Sequence, residues 1–186
     1  MGRIIYLNGK DGINMEKIEI EKKTNEILSS YDILDIPVDP IDIAKRLNIK
    51  VFNRNFNSFS NDTVSGAIKK EDNNINIYVN EEDSIERKRF TIAHELGHYF
   101  LHLECNSQKE FVDMHRRTGY NTQLPKEKEA NQFAAAILMP EKKVRELYKS
   151  INNLGVSESF IIEWLSERFF VSKPAIKFRL KNLGLI

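Results

Sequence analysis

The run His94-Glu95-Leu96-Gly97-His98 constrains this chain more than any other feature in it. Two histidines four apart on a helix are rotated by only ~40° and separated by ~6 Å along the axis, so both imidazoles lean to one side. They can then share one metal ion, and zinc is the ion this pattern favours. Glu95 follows the first histidine, where its carboxylate can take a proton from a water held at such a site. The flanks Thr91-Ile92-Ala93 and Tyr99-Phe100-Leu101 are uncharged, as a buried metal-bearing helix requires. The helical pattern runs from Ser84 to about Leu103, with Asp83 or Ser84 as its N-cap.

A catalytic zinc takes three protein ligands and leaves its fourth position open. Candidates for the third are His102, His115, Cys105, Glu127 and Glu129. On a straight helix His102 lies ~12 Å and ~80° from His94, which places it in helix-end packing or capping. His115 and Cys105 fall in the stretch 104–124, read as a long irregular connection, and geometry leaves them open. The helix expected from Pro125 to Leu138 offers the better answer. Glu127 and Asn131, four apart, share one face, whereas Glu129 points about 200° away and reads as a solvated carboxylate. Glu127 is then the ligand, and Asn131 hydrogen-bonds a ligand histidine to fix its ring. Ala130, Ala134 and Gly97 are small enough to let the two helices approach closely; Gly97 costs ~1 kcal/mol relative to Ala and needs such a reason.

Elsewhere the chain alternates between helical and period-two patterns. Residues 1–14 read as an N-terminal extension. A helix is expected from Met15 to about Ser30, and a short one through Leu47, capped by Asp39 with Pro40 in its first turn. Three strands follow, at 50–56, 63–69 and 74–80, the last two joined as a hairpin through Glu71-Asp72-Asn73. In the third strand Ile75, Ile77 and Val79 share one face, and this strand is the one expected to bind an extended substrate by strand addition. Helices are expected at 141–150, 158–169 and 173–183, with Gly184 at the C-terminal end of the last.

Four stretches together resemble the ImmA/IrrE family of metallopeptidases: P-V-D-P-I-D-I-A-K-R-L-N-I at 37–49, V-S-G-A-I at 64–68, R-F-T-I-A-H-E-L-G-H-Y-F-L-H at 89–102, and E-K-E-A-N-Q-F-A-A-A-I-L-M-P at 127–140. The resemblance covers roughly 15–140. It implies an α+β, zincin-like fold with a small, mainly antiparallel sheet, an active-site helix and C-terminal helices. It maps His94, His98 and Glu127 as metal ligands and Glu95 as general base. It implies a zinc metalloendopeptidase that cleaves a helix-turn-helix repressor and so releases mobile-element or stress genes. Manganese or iron also suits a two-histidine, one-glutamate site. Tyr120 and His115 are candidate donors to the oxyanion of the reaction.

The segment 141–186 reads as a C-terminal helical subdomain of helix-turn-helix character. Phe160, Ile161, Trp164, Leu165 and Phe169 make an apolar face, and residues 171–186 carry Lys173, Lys177, Arg179 and Lys181 with no acidic partner among them. A regulatory or antitoxin-like binding protein that uses these helices is the competing reading; helices packed on the core with a solvated basic face are the plain one. With 28 basic against 27 acidic residues, the net charge of +1 gives no global drive towards nucleic acid. No apolar run approaches the ~20 residues needed to cross a bilayer. A lone cysteine and a start without signal-peptide character point to the cytoplasm.

Overall fold

The computed structural model describes residues 17–56, 64–71, 74–103, 111–116 and 125–186. The chain opens with helix α1 (Lys17–Ser30), which buries Ile20, Thr24, Ile27 and Leu28, a spacing of three and four that leaves its other side to solvent. Helix α2 (Pro40–Arg46) starts where Asp39 accepts a hydrogen bond from the Ile41 amide at 2.9 Å, with Pro40 in the first turn. Strands β1 (Lys50–Arg54), β2 (Val64–Glu71) and β3 (Asn74–Asn80) follow. Helix α3 (Ile85–His98) begins at Ser84, whose hydroxyl accepts from the Arg87 amide.

The sheet is mixed, in the order β1-β3-β2-β4. β1 runs parallel to β3, while β2 is antiparallel to both β3 and β4. The fold is thus α+β with a mainly antiparallel sheet, as expected. Two details differ from expectation. β3 is paired on both sides, so it has no edge to offer an incoming strand; the outer strands of the described sheet are β1 and β4. The stretch 104–124 also contains a strand, β4 (Phe111–Arg116). Phe111 and Val112 favour a strand but Asp113 does not, and pairing to the edge of β2 defines the element.

The helical remainder comprises α4 (Pro125–Leu138), α5 (Glu141–Asn152), α6 (Glu158–Phe169) and α7 (Lys173–Asn182). α3 and α4 lie against each other at two small residues: a Cβ on Gly97 would stand 3.0 Å from the Ala130 Cα and 3.1 Å from its carbonyl oxygen. One apolar core runs from Ile20 and Ile43 through Ile68, Ile77, Leu96 and Phe133 to Leu165, Ile176 and Leu180. Buried arginines tie the C-terminal helices to it. Arg89 donates to the carbonyls of Val38 (2.7 Å) and Phe170 (3.1 Å). Arg179, 2% exposed, donates to the Met139 carbonyl and forms a two-point pair with Glu21 of α1.

These contacts recast the basic character of α7. Arg179 points inward, Lys173 reaches Glu163 and Lys177 reaches Glu158, both acids on α6. Of the apolar face expected on α6, Ile161, Leu165 and Phe169 are buried and Trp164 is half-buried, but Phe160 is exposed. Among the described residues no helix is long and apolar enough to cross a membrane.

Candidate metal centre

The helix that carries His94 and His98 differs from a plain α-helix in one respect. After His98 the chain passes into a π-helical turn, Tyr99–Leu103. The wider turn changes the angular advance past His98 and sets the His102 ring 5.4 Å from that of His98. α4 begins opposite this turn, so its first residues face the last turn of α3. Glu127 therefore meets His94 and His98 across the contact that Gly97 and Ala130 make close.

Three side chains converge there. His98 Nε2 lies 2.9 Å from His94 Nε2. Glu127 Oε2 lies 3.3 Å from His94 Nε2, and Glu127 Oε1 lies 3.2 Å from His98 Nε2. Tetrahedral zinc with bonds of ~2.0–2.1 Å requires ligand atoms ~3.3 Å apart, which these separations approach. All three residues are buried, and they are the one His/Cys/Asp/Glu trio able to hold an ion among the described residues. Two ring nitrogens and a carboxylate suit zinc, and iron or manganese as well.

The histidine that faces α4 is oriented from behind. His94 Nδ1 lies 3.0 Å from Asn131 Oδ1. A carbonyl oxygen can only accept, so Nδ1 carries the proton and Nε2 presents its lone pair to the centre. This is the arrangement anticipated for Asn131. Phe90, one turn before, places its ring 6.4 Å from that of His94.

Glu95 is fully buried, and its carboxylate lies beside β2. A Cβ on Gly66 of β2 would come within 3.5 Å of Glu95 Oε1, within 2.3 Å of the Thr91 methyl and within 2.9 Å of the Tyr78 carbonyl oxygen. Gly66 thus lets β2 approach the helix at the glutamate. Sequence reasoning noted V-S-G-A-I without giving this glycine a role; a glycine inside a strand is the signal that marks close approach.

His102 Nε2 donates to the Lys126 carbonyl at 3.3 Å, the helix-end role expected of it. Burial, with the neighbouring His98 adding to it, pushes the His102 pKa down to about 4, so the ring is neutral near pH 7. Glu129 is not a solvated carboxylate: it is 6% exposed, with Oε2 at 3.6 Å from His102 Nε2. The π turn brings His102 over the start of α4 and covers Glu129, which straight-helix geometry does not anticipate. His115 falls on β4, opposite Gly66 in the β2–β4 register. Cys105 and Tyr120 lie outside the described residues.

Residues 44–181 match the family model of the IrrE N-terminal-like domain (Peptidase_M78). The chain is also similar to Metallopeptidase ImmA of Bacillus subtilis (strain 168), 29% identical over 108 residues. That match covers 58% of this chain and 56% of the relative, so the chain spans little more than half of the relative's length.

Proposed function

The chain belongs to the IrrE N-terminal-like domain family, and from that membership we propose that it is a zinc-dependent metalloendopeptidase acting on a helix-turn-helix transcriptional repressor. Cleavage at one site would release the mobile-element or stress genes that the repressor holds silent. The observation that carries the activity is the convergence of His94, His98 and Glu127 within 4.8 Å, with the buried Glu95 on the same helix. The repressor as substrate rests on the resemblance to ImmA/IrrE proteins.

His94, His98 and Glu127 would hold the zinc ion, which would supply Lewis acidity and lower the pKa of water at the site. Asn131 keeps His94 in the tautomer that ligation requires. Glu95 accepts the proton of the attacking water and returns it to the nitrogen of the departing amine. Its burial beside Gly66 holds that carboxylate in a water-poor setting. His115 and Tyr120 are proposed as donors to the carbonyl oxygen as it gains charge. The cytoplasm, where helix-turn-helix repressors work, is the proposed compartment.

The test is incubation of the metal-loaded protein with the repressor encoded beside it, with Glu95→Gln in parallel. Discrete fragments from the wild type alone, abolished by a chelator, are expected, and their masses give the scissile bond. Binding of the repressor by a metal-loaded protein that leaves it uncut would refute the peptidase reading in favour of a regulatory binding role.

A further inference from the structure

A cavity of about 560 Å³ opens beside the metal centre, walled by α1, α3, α4 and α7. Its surface is mostly apolar, formed by Phe90, Ala135, Met139, Val171, Ala175 and Phe178. The volume lies inside the ~300–1,000 Å³ typical of small-molecule sites. Phe178 is 62% exposed, an aromatic ring left at the mouth rather than buried in the core. An exposed ring at the rim of an apolar cavity offers a flat face for an apolar or aromatic body to stack on.

The polar groups around this cavity favour one sign of charge. Arg179 and Glu21 neutralise each other within the wall. Of the rest, Lys17, Arg87 and Lys128 are cationic and Glu86 is anionic. The Glu86 charge is partly offset by nearby Arg89, on which it acts electrostatically. Lys17 donates to the Asn182 carbonyl, which keeps its ammonium at the rim. Lys128 is exposed and makes no ion pair among the described residues. A cavity with an apolar floor and a net positive rim is complementary to an anion with an apolar body.

We infer that this cavity binds a small amphipathic anion, its apolar part against Phe90, Met139 and Phe178 and its carboxylate or phosphate at Lys128 and Lys17. This assignment is independent of the peptidase reading, because it concerns occupancy and not turnover. The cavity nonetheless adjoins the metal centre through a shared side chain: Asn131 lines it and also holds His94.

The probe is anilinonaphthalene sulfonate, an aromatic body with one anionic group, titrated into the full chain and followed by fluorescence. Saturable one-to-one binding is expected. Lys128→Glu and Phe178→Ser should each weaken it about tenfold while melting as the wild type does, both positions being exposed. Octanoate and octyl phosphate compete in separate arms, and the one effective at lower concentration identifies the headgroup. Octyltrimethylammonium, with the same tail and the opposite charge, should displace the probe poorly. Unchanged probe affinity in both variants would overturn the site, and displacement by the cation as readily as by the anions would overturn its charge preference.

Discussion

Asn131 and His94 are joined by a hydrogen bond of 3.0 Å from the ring Nδ1 to the amide oxygen, on the side of the ring away from Glu127. The bond settles which nitrogen of His94 holds the proton. Replacing Asn131 by Ala frees the ring to rotate and to exchange tautomers without removing a ligand. Loss of such an outer partner lowers metal affinity by roughly 10–100-fold. Competition with a chromophoric chelator should read that loss for Asn131→Ala. An affinity equal to the wild type would show that packing alone orients His94.

Gly66 and Glu95 make a second prediction. Gly66→Ala puts a methyl 2.3 Å from the Thr91 Cγ2 and 2.9 Å from the Tyr78 carbonyl oxygen, so β2 must shift against both α3 and β3. Overpacking of this kind destabilises by about 1–3 kcal/mol. Urea denaturation should show it, and cleavage of the proposed repressor substrate should fall further than stability does because Glu95 shifts with its helix. Adding Thr91→Ser removes the nearest methyl and should recover part of the stability. No recovery in the double variant would assign the clash to the Tyr78 backbone.

Much of this architecture was legible because it is local. The caps at Asp39 and Ser84 follow from side chains that satisfy exposed amides, and α4 could be bounded by Pro125 and Pro140. The pairing of His94 with His98, and of Glu127 with Asn131, needs only the pitch of a helix. What escaped the sequence depends on distant segments. β4 exists through its ladder with β2, and β1 pairs in parallel with β3, a strand distant in sequence. Glu129 is buried because a π turn displaces His102, and nothing in Y-F-L-H-L announces that turn. The basic side chains of α7 read as a solvated face, but Lys173 and Lys177 meet acids on α6 and Arg179 meets one on α1.

Arg179 gives a stability prediction that separates fold from chemistry. Its guanidinium is buried, bonded to the Met139 carbonyl at 3.0 Å and paired with Glu21. Removing one member of a buried pair strands the other and costs about 3–5 kcal/mol. Glu21→Ala should approach that loss in chemical denaturation, whereas Lys173→Ala, which breaks the exposed pair with Glu163, should change stability by less than about 1 kcal/mol. Equal effects would mean that the Arg179 network contributes no more than a surface ion pair.

Metal removal tests the centre itself and separates ligand from base. An ion that binds only the folded chain stabilises it by about 4 kcal/mol at a free concentration a thousand times its Kd. For a chain of this length, 1 kcal/mol moves Tm by about 2–4 °C, so zinc should raise the midpoint by roughly 8–16 °C over chelated protein. Glu127→Gln keeps the shape but loses the anionic ligand, and its zinc-dependent rise should shrink to a few degrees. Glu95→Gln leaves His94, His98 and Glu127 in place and should keep the full rise while abolishing cleavage. A zinc response lost in Glu95→Gln and kept in Glu127→Gln would exchange the two roles, placing the ligand on the sheet side of α3 and the base on α4.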